Sequence, residues 1–182
     1  MPRYFAFLRA INLGGYHKVK MAHLKELFES LGFANVETFI AGGNVIFSTP
    51  SKNARALEKK IESRLFEELG YEVTTFVRTE AELREIANYQ PFTKSDLESA
   101  VALNIAFFGD PVDEDSARKA LALSTDCDEL RVQGREIYWL CTKRQSESTI
   151  SNAAFNKAIR RPSTIRGLNT IKKMAEKYCG SK

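Results

Sequence analysis

An α+β fold built twice along the chain is what this sequence predicts, and three observations predict it. Apolar runs of strand length alternate with stripes of helical spacing, the order of those elements recurs once, and glycines stand where helices and hairpins must end. The 182 residues suffice for two small domains.

Tyr4 to Ile11 is β-rich and nearly all apolar, as a central strand requires. Leu24, Leu27, Phe28 and Leu31 then fall at i, i+3, i+4 and i+7, with Gly32 as a stop signal, so a helix follows. Val36 to Ile40 and Val45 to Phe47 read as strands joined by the turn Ala41-Gly42-Gly43-Asn44. Leu57, Ile61, Leu65 and Leu69 form a second helical stripe closed by Gly70. Tyr71 to Val77 reads as a strand, and Thr79-Glu80-Ala81-Glu82 has the spacing of a capping box opening a short helix. This order, β-α-β-β-α-β with one helix appended, is the ferredoxin-like arrangement.

The same order returns. Ala100 to Phe108 is a strand and Asp113 to Leu123 a helix whose acidic start (Asp110, Asp113, Glu114, Asp115) suits the helix dipole. Glu129 to Gln133 and Glu136 to Thr142 form a hairpin across Gly134. Thr149 to Ile159 reads as a helix, Ser163 to Ile165 as a very short strand, and Asn169 to Tyr178 as the appended helix. The expected architecture is two tandem ferredoxin-like subdomains with antiparallel sheets, over 1–88 and 100–182, with 89–99 as linker.

The two copies differ in their first connection. Asn12 to Lys20 spans nine residues, whereas Gly109 to Val112 spans four. Such connections need about 2 to 6 residues, so the first loop is longer than the topology requires. It carries Gly14 and Gly15, which let backbone amides approach a ligand, and the helix after it presents a positive dipole end. The first and second strands run the same way, so this loop and the Gly42-Gly43-Asn44 turn are expected at one sheet edge.

Charge is unevenly placed. Residues 143–182 hold ten Lys and Arg against two Glu, a net +8, while 1–142 carry a net −4. Nucleic-acid binding through Arg160, Arg161 and Arg166 is therefore an alternative. No segment, however, has the aromatic strand motif of the RRM class, and Trp139 in Ile137-Tyr138-Trp139-Leu140 reads as core. Cys127, Cys141 and Cys179 lack zinc or disulfide spacing and read as reduced thiols. Cys127 and Cys141 flank two strand-like segments that can bring them near each other, but the preferred reading is small buried hydrophobes. His17 and His23, six apart, do not make a metal pair, so no metal site is expected. Ser146, Ser148 and Ser151 lack a nucleophile signature, and no catalytic motif or cofactor fingerprint is found. No apolar run approaches the roughly 18 residues of a membrane span, and Arg9 interrupts the first apolar stretch, so neither membrane nor signal peptide is expected and the location is read as cytoplasmic. Cys179-Gly180-Ser181-Lys182 is no prenylation signal.

Three stretches carry a resemblance: Arg9-Ala10-Ile11-Asn12-Leu13-Gly14-Gly15 with Lys18-Val19-Lys20-Met21, then Gly43-Asn44-Val45-Ile46-Phe47, then Thr164-Ile165-Arg166-Gly167-Leu168-Asn169-Thr170. Together they resemble the signatures of a bacterial family catalogued as domain of unknown function sixteen-ninety-seven. The resemblance implies two ferredoxin-like subdomains and no activity, substrate or cofactor. The chain departs from the family's common form at Gly42, where serine is frequent, and at Ile165, Gly167 and Leu168, where Thr, Asn and Trp are frequent.

The leading functional expectation is a binding module for a small anionic or phosphorylated ligand. Arg9 and Lys18 are its charge partners, and Asn12, Gly14, Gly15, Gly43, Asn44, Arg166 and Asn169 complete the candidate set. The alternatives are nucleic-acid binding and an enzyme of unrecognised mechanism. A further reading is a homodimer or docked partner paired through sheet edges.

Overall fold

The computed structural model describes residues 1–11, 18–40 and 42–180. Within them the chain forms two four-stranded antiparallel sheets and seven α-helices, in two compact units, Met1–Glu85 with Met174–Lys182, and Ile86–Lys173. The first unit runs β1 (Arg3–Leu8), α1 (Met21–Glu29), β2 (Ala34–Thr38), β3 (Asn44–Ser48), α2 (Ala54–Leu69) and β4 (Thr75–Thr79), with sheet order β2-β3-β1-β4. After β4 comes α3 (Glu80–Asn88), and then α4 (Lys94–Ser99), which lies inside the stretch expected to be a linker. The second unit repeats the order with β5 (Ala102–Phe107), α5 (Glu114–Leu121), β6 (Asp128–Gln133), β7 (Glu136–Cys141), α6 (Asn152–Ile159) and β8 (Thr164–Gly167), in sheet order β6-β7-β5-β8. The closing helix is α7 (Leu168–Tyr178). Both sheets thus have ferredoxin-like topology.

Local chemistry accounts for the boundaries. Asn53 caps α2 by accepting from the Ala56 N–H at 3.1 Å, and Gly70, at φ +79°, ends it by donating to Phe66 O at 2.9 Å. The capping box at α3 forms in both directions: Thr79 N–H donates to Glu82 Oε2 at 2.8 Å, and Glu82 N–H donates to Thr79 Oγ1 at 3.1 Å. Asp113 accepts from the Ser116 N–H at 2.7 Å and starts α5. β1 ends at Leu8, earlier than its apolar run, because Ala10 turns to φ +59°.

The first core packs Leu24, Leu27 and Phe28 of α1 and Leu57, Ile61 and Leu65 of α2 on Tyr4, Ala6, Leu8, Val45, Phe47 and Val77 of the sheet. Full burial of such side chains contributes about 1.5 to 3 kcal/mol each. The last turn of α7 belongs to this unit, where the Tyr178 ring meets Phe5 and Phe39 and its hydroxyl donates to Glu37 at 2.8 Å. The second core gathers Phe108, Leu130, Ile137, Trp139, Ile150 and Phe155. Trp139 is 1% exposed, as a core residue should be.

β4 is an edge strand, and α2 covers that edge. Glu62 accepts from the Thr75 N–H at 2.9 Å and Glu58 from the Val77 N–H at 3.0 Å, so two carboxylates one helical turn apart stand where a neighbouring strand's carbonyls would be. Pairing of a second copy along β4 would have to displace them. Burial raises the Glu62 pKa, with the neighbouring charges of Glu58 and Glu72 adding to it, against the Thr75 hydrogen bond and Arg55. A group whose native pKa lies above the unfolded value of about 4.3 stabilises most below that value and loses its contribution as pH rises through the native pKa. Glu62→Gln keeps an acceptor for Thr75. In urea unfolding it is expected to match or exceed wild type at pH 7 and to lose that advantage at pH 4; a difference constant across that range would contradict this account.

Candidate functional site

β1 leaves its sheet held on both sides. Leu8 N–H donates to Gly43 O at 2.8 Å, and Arg9 N–H donates to Thr74 O at 2.9 Å. The strand end and the glycine turn are therefore neighbours, as the topology implied. Gly43 stands at φ +86°, and a Cβ there would come within 2.9 Å of Leu8 Cβ and 3.1 Å of Leu8 O. Ala10 at φ +59° and Ile40 at φ +53° flank this meeting point on its two segments. A left-handed conformation costs about 1 to 2 kcal/mol for a residue other than glycine, and such strain gathers where a backbone shape is needed for function.

Arg9 is partly exposed and Lys18 is exposed. Among the described residues, neither the Arg9 guanidinium nor the Lys18 ammonium has a hydrogen-bond or ion-pair partner. Asn12, Gly14 and Gly15 lie outside the described residues, as does His17. Asn44 is 2% exposed, and its side-chain amide donates to Phe39 O at 3.0 Å while Phe39 N–H donates to Asn44 O at 3.0 Å, so its side chain helps close the hairpin.

Arg166 and Asn169 belong to the second unit. Arg166 lies on β8 opposite Ile105 of β5, and its Nη1 donates to Thr164 Oγ1 at 2.7 Å and Ile165 O at 3.0 Å. Burial pulls its pKa down to about 10, which leaves it charged at neutral pH. Arg78 stands at the matching place in the first sheet, opposite Phe5 of β1, with its Nη1 on Val77 O at 3.1 Å. Each arginine thus bonds the carbonyl of the residue before it on the fourth strand, a feature of the repeat itself. Asn169 is exposed in the first turn of α7.

The basic C-terminal quarter is partly engaged internally. Arg161 donates to the carbonyls of Asp110 and Pro111 at 3.3 and 3.1 Å and lies over the Phe108 ring, and Lys177 lies 3.7 Å from Glu37 and over the Tyr178 ring. Arg160, at φ +54°, ends α6. His23, on α1, lies 3.4 Å from Glu68 and 3.7 Å from Glu26.

A groove in the first unit runs along Glu62, Ser63, Phe66, Glu67, Glu72, Val73 and Thr74. Three carboxylates give it the wrong sign for an anion, so it is not the site that Arg9 and Lys18 would serve. Sequence reasoning allowed for the meeting of Cys127 and Cys141 but missed Asp128 beside them, and Cys127 is partly exposed where a buried hydrophobe was expected. Cys127, Asp128 and Cys141 bring two sulfurs and a carboxylate oxygen within 4.8 Å of one another. The signal was the hairpin register across Gly134, which sets Asp128 opposite Cys141. Burial alone would raise the Asp128 pKa, but hydrogen bonds from Thr125, Trp139 and Ser148 bring it below the usual carboxylate value.

The model of a protein family of unknown function (DUF1697) matches residues 1–138. The chain belongs to this family. The family match takes in the first loop and the glycine turn and stops before Thr164-Ile165-Arg166. The chain is also similar to the solved structure of a conserved bacterial protein, SP0830, from Streptococcus pneumoniae, at 21% identity and a TM-score of 0.70 over 96% of this chain and 99% of that one. At that identity the likeness shows the fold alone. No curated protein matches the chain. Among the described residues, no helix is long and apolar enough to cross a membrane.

Proposed function

We propose that the first unit of this family member binds a small anionic or phosphorylated ligand where β1 leaves the sheet, with Arg9 and Lys18 as its cations. One observation carries the reading: the Arg9 backbone is pinned by its bond to Thr74 while its guanidinium has no partner among the described residues. The bonded backbone fixes the point from which the guanidinium reaches out, and guanidinium pairs with phosphate bidentately. Lys18, at the far end of the loop, adds a second charge. Asn44 supports the hairpin beneath.

The test is calorimetric titration of the purified chain with inorganic pyrophosphate and with ATP. Saturable binding is expected, weakened about tenfold or more by Arg9→Ala and further by the double variant with Lys18→Ala, since each tenfold step is about 1.4 kcal/mol. Binding unchanged in Arg9→Ala would overturn the proposal.

A further inference from the structure

Thr125 and Asp128 close a tight turn through mutual backbone bonds, Thr125 N–H to Asp128 O at 3.1 Å and Asp128 N–H to Thr125 O at 3.3 Å, with Asp126 and Cys127 at its corner. The Thr125 hydroxyl oxygen accepts from the Cys127 N–H at 3.2 Å and holds the corner in place. The turn brings Cys127 beside Asp128, and the β6–β7 ladder sets Cys141 opposite Asp128. Among the described residues, no other three side chains of metal-ligating type come together in this way.

The carboxylate of Asp128 has two distinct sides. Oδ1 accepts from Trp139 Nε1 at 2.7 Å and from Ser148 Oγ at 2.8 Å. Oδ2 lies 3.5 Å from Cys127 Sγ and accepts from Thr125 Oγ1 at 2.7 Å. Oδ1 is thus held by Trp139 and Ser148, while Oδ2, held by Thr125, faces Cys127 Sγ, and outer-sphere donors of this kind orient a ligating carboxylate. Cys141 is fully buried, Asp128 is 3% exposed, and Cys127 is partly exposed, so the cluster is sheltered yet reachable from Cys127's side.

We propose that Cys127, Asp128 and Cys141 form a binding site for a thiophilic divalent cation of the zinc class, with a fourth coordination position open to water. Bond lengths of about 2.3 Å to sulfur and 2.0 to 2.2 Å to oxygen ask only a small contraction of a cluster already within 4.8 Å. Two thiolates select for soft metals over magnesium or calcium, which take oxygen donors. On binding, both thiols release their protons to solvent, and the Thr125 hydroxyl turns its hydrogen away from Oδ2. No redox change is involved. The site is separate from the Arg9 region and does not depend on the anion reading.

The test titrates Co²⁺, then Zn²⁺, into the reduced, chelator-treated full chain. One equivalent of Co²⁺ is expected to give thiolate-to-cobalt charge-transfer absorption, and Zn²⁺ to displace it. Cys127→Ser and Cys141→Ser should each abolish the band, whereas Cys179→Ser should keep it. Ser148→Ala leaves the three ligands intact and removes an outer donor, so it is expected to weaken Zn²⁺ binding about 10- to 100-fold in competition with a chromophoric chelator. Circular dichroism of each variant checks folding, and if Cys141→Ser fails to fold, Cys127→Ser at the turn corner carries the test. Absence of the charge-transfer band in wild type, or its survival in folded Cys127→Ser, overturns the proposal. So does a chain that takes up no metal and forms only a Cys127–Cys141 disulfide under mild oxidation.

Discussion

Phe47→Ala is expected to destabilise the protein by about 3 to 5 kcal/mol, read as a large fall in the urea midpoint followed by far-UV circular dichroism. Phe47 is fully buried on β3, an inner strand of the first sheet. Its ring stacks on Phe33 with centroids 4.4 Å apart and on Tyr4 at 5.7 Å, and meets Phe28 edge-on at 5.7 Å. These partners come from β1, α1 and the turn before β2, so one ring ties helix, strand and turn together. Truncation would remove the ring's transfer energy and open a cavity whose walls are themselves stiff aromatics. Phe47→Leu separates the two contributions, because it fills most of the volume and loses only the ring pairs, each worth about 0.5 to 1.5 kcal/mol. It should therefore fall well between wild type and the alanine variant. A loss under about 1 kcal/mol in Phe47→Ala would mean that the cluster collapses freely into the space.

The fold was legible wherever the signal was local. Period and stop signals placed α1, α2 and the β6–β7 hairpin, and the capping box at Thr79 is bonded as its spacing implied. A second capping box, Thr93 with Asp96, opens α4, with bonds of 2.9 and 3.1 Å. It stands in a stretch whose proline and polar residues read as linker. The fourth strand, expected from Tyr71, begins at Thr75. Tyr71 and Val73 pack against the core and precede the β1–β4 ladder. Pairing starts where β1 offers a partner, at Leu8. Ile11 is 2% exposed for a similar reason, since burial without a ladder looks like strand in a sequence.

The candidate site was legible in part. Strand direction alone put the end of the first strand and the glycine turn at one sheet edge, where Leu8 N–H meets Gly43 O, because ferredoxin-like topology fixes which loops share an edge; residues 12–17 of the loop expected beside them lie outside the described residues. What local reading could not reach was the use to which polar side chains are put. Asn44 closes a hairpin, Arg161 caps carbonyls some fifty residues away in the chain, and Cys141 faces Asp128. Each of these is a tertiary pairing, and a residue type constrains only what it can bond, not which partner it meets. Arg166 illustrates the point from the other side. Its repetition as Arg78 became visible only when the two sheets could be laid in register.

Gly43→Ala is expected to cost about 2 to 5 kcal/mol, and its comparison with Gly32→Ala tells why. Gly32 has φ +84° and open space for 4 Å around the place a Cβ would take, while Gly43 has φ +86° and a Cβ there would meet Leu8 at 2.9 Å. The two positions thus share the conformational penalty, about 1 to 2 kcal/mol, and differ in the contact. Leu8 cannot yield easily: its Cβ belongs to a buried side chain and its N–H is bonded to Gly43 O. Relief would require β1 and the turn to part, with overpacking of about 1 to 3 kcal/mol as the result. Urea unfolding should therefore place Gly43→Ala below Gly32→Ala by at least about 1 kcal/mol. Because parting the turn from β1 also moves the root of Arg9, pyrophosphate affinity should fall in Gly43→Ala and hold in Gly32→Ala. Equal stability losses in the two variants would show that the turn accommodates a methyl group, and that the close approach of Gly43 to Leu8 does not shape this edge of the sheet.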